Sequence, residues 1–239
     1  EKAIQLCNKL SEDIFTSDED LVDSLFASGR VVTFTNPINF MKLIECCNFS
    51  DDIDDIFCDG IVASTLLSLF LRKKLKRYSF DFTSLATPVF QYCIKNNKSI
   101  FLIGSDSETL ENFSRVVLRS FPRLKIVGKR DGYLGLESIE DVVSTIKNLD
   151  PDLVLCGMGC PLQENFAVIG SKEMPSTTFI TCGGFFHQHQ KKAQYYPKFI
   201  DKLNLRMPYR FFKEKHTRSR IFLYPKFVFY ILFNFRDLK

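Results

Sequence analysis

Between Ser99 and Gly184 short apolar runs alternate with amphipathic stretches, and each run leads into a glycine. SIFLIG at 99–104, 124–128, 152–156 and 177–182 read as strands, followed by Gly104, Gly128, Gly157 and Gly183. Strands this short and this uniformly apolar are buried on both faces, which a chain achieves with parallel strands and crossover helices. Helices are expected at 107–121, capped by Ser105 or Ser107, and at 138–149, where Ser138 and Asp141 have capping-box spacing. A third is expected to start at Pro161, since proline suits the first helical position. The expected fold class is α/β: a Rossmann-like, mostly parallel sheet with helices on both faces. Ligands of such sheets bind at the carboxyl ends of the strands, where these glycine turns fall.

Upstream, VVTFTN at 31–36 reads as a buried strand, 38–47 as a helix, and 54–57 as a strand running into Asp59-Gly60. An apolar helix follows at 61–70, and the basic run Arg72 to Arg77 reads as its solvated end. With 239 residues, 45% of them apolar, the chain can fill a substantial core. Its eight cysteines include no C-x-x-C pair, and several lie in apolar runs. Buried thiols in a reducing compartment are therefore expected, not a disulfide scaffold or zinc ribbon. No basic start followed by an apolar run marks a secretory leader, and the absence of an initial Met is expected of a trimmed piece. The longest apolar stretch, 221–233, is interrupted by Pro225 and Lys226 and falls short of the roughly 20 residues of a membrane span.

The net charge of +4 is unevenly spread. From Lys191 onward thirteen Lys or Arg face three Asp or Glu, leaving −6 on the first 190 residues. Ten of the 33 Phe and Tyr also lie between Tyr209 and Phe235. The expected organisation is a catalytic domain over 1–204 and a basic, aromatic, helical appendage over 205–239. Such an appendage suits an anionic membrane surface, with rings in the interface and Lys and Arg at headgroups. A basic helix packed on the domain is the plainer reading. Nucleic acid is not an expected partner, because the body is acidic and no nucleic-acid motif is present.

Three groups of residues could carry chemistry. Gly157-Met158-Gly159-Cys160-Pro161-Leu162-Gln163-Glu164 would let backbone approach a ligand beside a helix N-terminus, or is simply a tight turn. It is not a dinucleotide fingerprint, because Leu162 occupies the third glycine position. Asp59 at the end of a strand is placed for base work, or belongs to an ordinary Asp-Gly turn. The acidic run Asp51-Asp52-Ile53-Asp54-Asp55 precedes its strand and reads as a solvated loop, not a metal site. His187 and His189 form an H-x-H pair with no third ligand at a usual spacing. There is no G-x-S-x-G elbow.

Taken in order, VVTFTNP, Asp59-Gly60, Asp81 in SFDF, FLIGS, IVGKRDGYLG, GMGCPLQE, CGGFF, PKFIDKLNL and Tyr209-Arg210 resemble the WecG/TagA/CpsF family of bacterial glycosyltransferases, glycosyltransferase family 26. The resemblance implies an inverting, metal-independent transfer of a sugar from a UDP-sugar to a polyprenyl-diphosphate-linked saccharide, in the synthesis of surface polysaccharides. It implies no cofactor and a cytoplasmic protein lying peripherally on the inner face of the cell membrane. Asp59 matches the family's base. Thr33, Thr35 and Asn36 are the candidates for its pocket-lining Thr and Asn, and Gln163 matches the Gln of the nucleotide-sugar site. The matched motifs add Asp81, Gly104, Asp131, Gly132, Tyr133, Gly157, Gly159, Glu164, Gly183 and Gly184 to the binding candidates. Tyr209, Arg210, Arg218 and Arg220 stand for the appendage groups that complete the site. Nothing in the sequence excludes a homo-oligomer.

The chain departs from the family's usual residues at three places. His187 stands where Asp is usual, Tyr195-Tyr196-Pro197 where Arg-Ala-Pro is, and Arg206-Met207 where Glu-Trp is. Two other functions fit parts of the pattern. One is a nucleotide-binding oxidoreductase, against which the incomplete glycine fingerprint counts. The other is a non-catalytic, membrane-associated partner in polysaccharide assembly, which these departures suggest.

Overall fold

The computed structural model describes residues 2–27, 29–46, 52–192 and 223–234. Six strands form one all-parallel sheet in the order β2-β1-β6-β5-β3-β4. They are β1 (Val31–Thr35), β2 (Asp55–Cys58), β3 (Ser99–Gly104), β4 (Lys125–Arg130), β5 (Leu153–Gly157) and β6 (Thr178–Thr181). Every residue of β1, β5 and β6 is buried, as the uninterrupted apolar runs require. At the edge, β4 alternates exposed and half-buried residues.

Helices cover both faces. One face carries α1 (Lys2–Asn8), α3 (Pro37–Cys46), α4 (Ile61–Leu71), α7 (Ile139–Lys147), α8 (Leu162–Glu173) and α10 (Leu223–Asn234). The other carries α2 (Asp18–Phe26), α5 (Ala86–Lys95), α6 (Ser107–Ser120) and the short α9 (Phe185–His189). The core under this second group is largely aromatic. Phe80, Phe82, Phe90 and Phe113 surround Phe185, with ring centroids such as Phe113–Phe185 at 5.1 Å, and Phe121 packs on Phe82 and Phe90.

Several expectations need correction. Helix α6 is capped by neither Ser105 nor Ser107: Asp106 accepts the Thr109 amide at 2.8 Å and its hydroxyl at 2.7 Å. Pro161 sits at the N-cap of α8 instead of its first turn. The run Arg72 to Arg77 is not a helix end. Arg72 takes a left-handed conformation that closes α4, and the chain then turns back so that Arg77 bridges to Cys58 at the end of β2. The capping box of α7 forms as expected, with Ser138 and Asp141 satisfying each other's backbone amides.

The acidic loop before β2 is built into the amino edge of the sheet. Asp54 accepts the Val31 amide at 2.8 Å, Asp55 pairs with Arg30 at 3.0 Å, and Asp52 pairs with Lys172 at 3.0 Å. Cys7, Cys58, Cys93 and Cys156 are buried thiols outside any disulfide, and burial pushes the first three up to about 12. Among the described residues no helix is long and apolar enough to cross a membrane.

Candidate functional site

The carboxyl edge gains its shape from one crowded crossing. Chain leaving β3 enters α6 on one face, while chain leaving the adjacent β5 enters α8 on the other. Neighbouring strands whose connections part in this way open a crevice between them. Gly104 and Gly157 are paired in register there. A Cβ on Gly104 would sit 2.4 Å from the Gly157 carbonyl, and the φ of Gly104 is +140°, so glycine is required on both counts. The Ser105 amide donates to Gly157 O at 3.2 Å and the Gly132 amide to Ser105 O at 2.9 Å, which ties the Asp131-Gly132-Tyr133 turn to the same point. Asp131 accepts the Tyr133 amide at 3.0 Å and the Ser107 hydroxyl at 3.1 Å, leaving the Tyr133 side chain exposed.

On the other side of the crevice, the Asp59 amide donates to Thr35 O at 2.7 Å, so β1 and β2 end level. Gly60, next to Asp59, has open space where a Cβ would stand, and it opens helix α4. Asn36 caps α3, its Oδ1 accepting the amides of Ile38 and Asn39 at 3.0 Å each. Asp59 closes edge strand β2, and β5 lies three strand positions away, about 14 Å at ordinary strand spacing.

Beneath the edge lies a buried polar network. Thr33 donates to Glu164 Oε1 at 2.9 Å and contacts the Thr181 hydroxyl at 2.7 Å. Gln163 Nε2 donates to the same Glu164 oxygen at 2.9 Å. Gln163 Oε1 accepts the amides of Gly159 at 3.2 Å and Gly183 at 3.1 Å. Burial is the largest influence on Glu164 and raises its pKa, with the bonds from Gln163 and Thr33 opposing it in part.

Of the expected residues, Thr35, Gly104 and Gly157 end strands, and Asn36, Asp59, Asp131, Gly132, Tyr133, Gly159, Gly183 and Gly184 follow strand ends along the same edge. Thr33, Gln163 and Glu164 lie under it, fully buried. Asp81 is buried and holds its own turn, accepting the Ser79 hydroxyl at 2.6 Å and the Thr83 amide at 2.8 Å. The two histidines diverge: His187 is exposed and bonded to Gln190, while His189 packs against Phe82 and Phe185 at 4.9 Å each. Tyr209, Arg210, Arg218, Arg220, the departures at 195–197 and 206–207, and the boundary near 204 lie outside the described residues.

One charged group escaped the sequence reading. The bridge between Cys58 and Arg77, with the Tyr78 amide on Cys58 O at 3.0 Å, sets Arg77 one residue from the Asp59 level. Its guanidinium bonds Ser79 at 3.1 Å. No local pattern signals this, because it depends on the chain doubling back after α4.

Comparison with known proteins gives the same frame. The Glycosyl transferase WecG/TagA/CpsF family matches residues 13–239. A UDP-Gal:alpha-D-GlcNAc-diphosphoundecaprenol beta-1,4-galactosyltransferase of Shigella boydii is 36% identical over 201 residues, covering 83% of this chain and 84% of that protein. An N-acetylglucosaminyldiphosphoundecaprenol N-acetyl-beta-D-mannosaminyltransferase of Bacillus subtilis is 28% identical over 210 residues, covering 85% and 79%. A Staphylococcus aureus protein of the same name is 28% identical over 151 residues, covering 62% and 59%. With a family match over residues 13–239 and a relative 36% identical over 83% of its length, the chain belongs to the WecG/TagA/CpsF family of glycosyltransferases.

Proposed function

We propose that this glycosyltransferase moves a sugar from a UDP-sugar to a saccharide carried on a polyprenyl diphosphate, with inversion and without a metal ion. The observation that carries the reading is Asp59 at the end of β2, level with Thr35, on a chain of this family. Asp59 accepts the proton of the acceptor hydroxyl as that oxygen attacks the anomeric carbon. The bond from that carbon to the diphosphate breaks, and UDP leaves with the electron pair. Its growing negative charge meets the N-termini of α6 and α8 at the crevice, with Arg77 and the appendage residues Arg210, Arg218 and Arg220.

The relatives' names support both substrates, since each names a diphosphoundecaprenol-linked acceptor and the Shigella protein's name adds UDP-Gal. UDP-galactose is therefore the first donor to test. Metal independence is supported by the family resemblance and by the acidic run, whose Asp52, Asp54 and Asp55 are engaged at the opposite edge of the sheet. We further place the protein peripherally on the inner membrane face, held by the basic aromatic appendage.

The test is UDP release from UDP-galactose and other UDP-hexoses, with an N-acetylglucosaminyl-diphosphate lipid as acceptor and EDTA present. Acceptor-dependent release of UDP is expected. Absence of turnover with every donor would overturn the catalytic reading, and restoration by Mg or Mn after chelation would overturn metal independence.

A further inference from the structure

The hydrogen bonds around Gln163 determine its orientation without ambiguity. Two backbone amides, those of Gly159 and Gly183, point at one end of its side chain, and only the carbonyl oxygen can accept both. The amide nitrogen must then face Glu164, whose Oε1 receives it at 2.9 Å. That same oxygen accepts the Thr33 hydroxyl. A hydroxyl has one proton, so Thr33, having donated to Glu164, accepts from Thr181. The direction of the whole network is fixed: Thr181 to Thr33 to Glu164, and Gln163 to Glu164.

Glu164 is the common acceptor, and it is fully buried while Gln163 is 2% exposed. Neither presents a surface to a ligand. Oε2 of Glu164 makes no hydrogen bond of ordinary geometry, and the nearby Cys160 thiol influences the carboxyl less than Gln163 or Thr33 does. The work of this carboxyl is therefore done through Oε1. We propose that Glu164 is a positioning residue: it holds the Gln163 carboxamide in the orientation that clamps the turn after β5 to the turn after β6, and so sets the spacing of the edge that receives the donor nucleotide.

The clamp spans elements distant in sequence. Gly159 belongs to the turn whose backbone approaches Gly104, and its φ of +82° is one that side chains rarely adopt. Gly183 follows the adjacent strand β6, and its amide is held only through the Gln163 oxygen among the bonds described. Without Glu164, the Gln163 amide nitrogen loses its acceptor and the carboxamide has no reason to keep its oxygen toward the two glycines.

The role of this clamp in nucleotide binding rests on the proposed function, so the test has one arm that does not. In the full-length chain, amide hydrogen exchange at Gly159 and Gly183 is compared with that at Leu155 in mid-β5. Glu164→Ala should accelerate both glycines about tenfold or more, the scale of one lost hydrogen bond, while Leu155 stays protected. Glu164→Gln keeps an oxygen for both donors and should leave all three amides slow. Should Glu164→Ala fail to fold, Gln163→Met removes the clamp with Glu164 intact and should release the same two amides. Unchanged exchange at the glycines in Glu164→Ala or Gln163→Met, or equal damage from Glu164→Gln and Glu164→Ala, would overturn the clamp. In the second arm, calorimetric binding of UDP should weaken about tenfold in Glu164→Ala and recover in Glu164→Gln. UDP binding unchanged in Glu164→Ala would remove the nucleotide role alone. A wild-type chain that does not bind UDP would instead refute the functional reading and leave the exchange arm to judge the clamp.

Discussion

The amide of Asp59 lies 2.7 Å from the carbonyl oxygen of Thr35, so the last residue of one strand is pinned to the residue just past its neighbour. This bond holds the Asp59 backbone at the carboxyl end of the sheet, next to Gly60, where an added Cβ would meet no atom within 4 Å. As the proposed base, Asp59 fixed by its backbone would need little reorganisation when the acceptor arrives. Asp59→Asn preserves the shape and removes proton acceptance. Turnover should fall by about 10² to 10⁴-fold, the usual cost of losing a general base, with UDP affinity retained. Near-normal turnover in this variant would remove Asp59 from the mechanism.

Gly104→Ala tests the crossing of β3 and β5. The new methyl would enter the Gly157 carbonyl at 2.4 Å, at a backbone angle that already excludes most side chains. The two strands must part or the turn must rebuild, and backbone strain of this kind costs about 1–3 kcal/mol. A urea titration should show a lower midpoint, and UDP affinity should fall with it. Gly135→Ala is the comparison: its φ is +62° but no atom lies within 4 Å of the added carbon, so its loss should be smaller. Equal losses in the two variants would mean that the close approach of Gly104 to Gly157 is not what matters.

Strands β1, β3, β5 and β6 were legible because they are buried on both faces, which leaves an uninterrupted apolar run with nothing else to be; β4, at the exposed edge, has no such run. Asp59, Gly104, Gly157 and Gly183 were legible for a related reason, since each closes or follows such a run, whereas Gly128, expected to end a strand, lies inside β4. Helix α5 was not, because Leu85 at its N-cap offers no side-chain bond and no cap marks its start. Arg77 was missed because its neighbour Cys58 is a strand partner brought back by a reversal of the chain. The buried work of Gln163 and Glu164 was also hidden. The motif marks both as site residues, but only the fold shows that the Gln163 oxygen is spent on Gly159 and Gly183 and that Glu164 Oε1 is spent on Thr33 and Gln163. Asp81 belongs with them, a motif residue whose described bonds hold a turn.

Helix α10 offers a test of what the end of the chain contributes to stability. Phe227 and Ile231 are fully buried, Phe227 meets Phe40 edge-on at 5.6 Å, and Lys226 pairs with Glu45 at 2.7 Å. The opposite side exposes Phe229, Leu232 and Phe233. Phe227→Ala should cost about 3–5 kcal/mol, the range for removing a large aromatic side chain from a core. Phe233→Ala, at 82% exposure, should leave stability within about 0.5 kcal/mol. If α10 also meets lipid, Phe233→Ala should weaken sedimentation with anionic vesicles at high salt, where the attraction of Lys and Arg is screened. Equal stability of the two variants would show that α10 does not form part of the core.

Glu164 gives the fold a pH signature of defined sign. Burial raises its pKa in the folded chain above the ordinary value of about 4.3, so between these two values the folded state holds a proton that the unfolded state has released. Stability contributed by this group is therefore complete below about pH 4 and declines as pH rises toward the folded pKa. Glu164→Gln has no proton to lose and escapes that decline. The difference in urea midpoint between Glu164→Gln and wild type should shift in favour of the variant as pH is raised above about 4. The protons of Asp152 run the other way. Burial opposes its ionisation, but bonds from Lys98 and from the Ser99 amide and hydroxyl outweigh it and lower its pKa, so its contribution is lost as pH falls. Asp152→Asn should accordingly flatten the acid limb of the stability profile without touching the rise seen with Glu164→Gln. A midpoint difference between Glu164→Gln and wild type that stays constant over this range would mean that Glu164 titrates alike in the folded and unfolded chain.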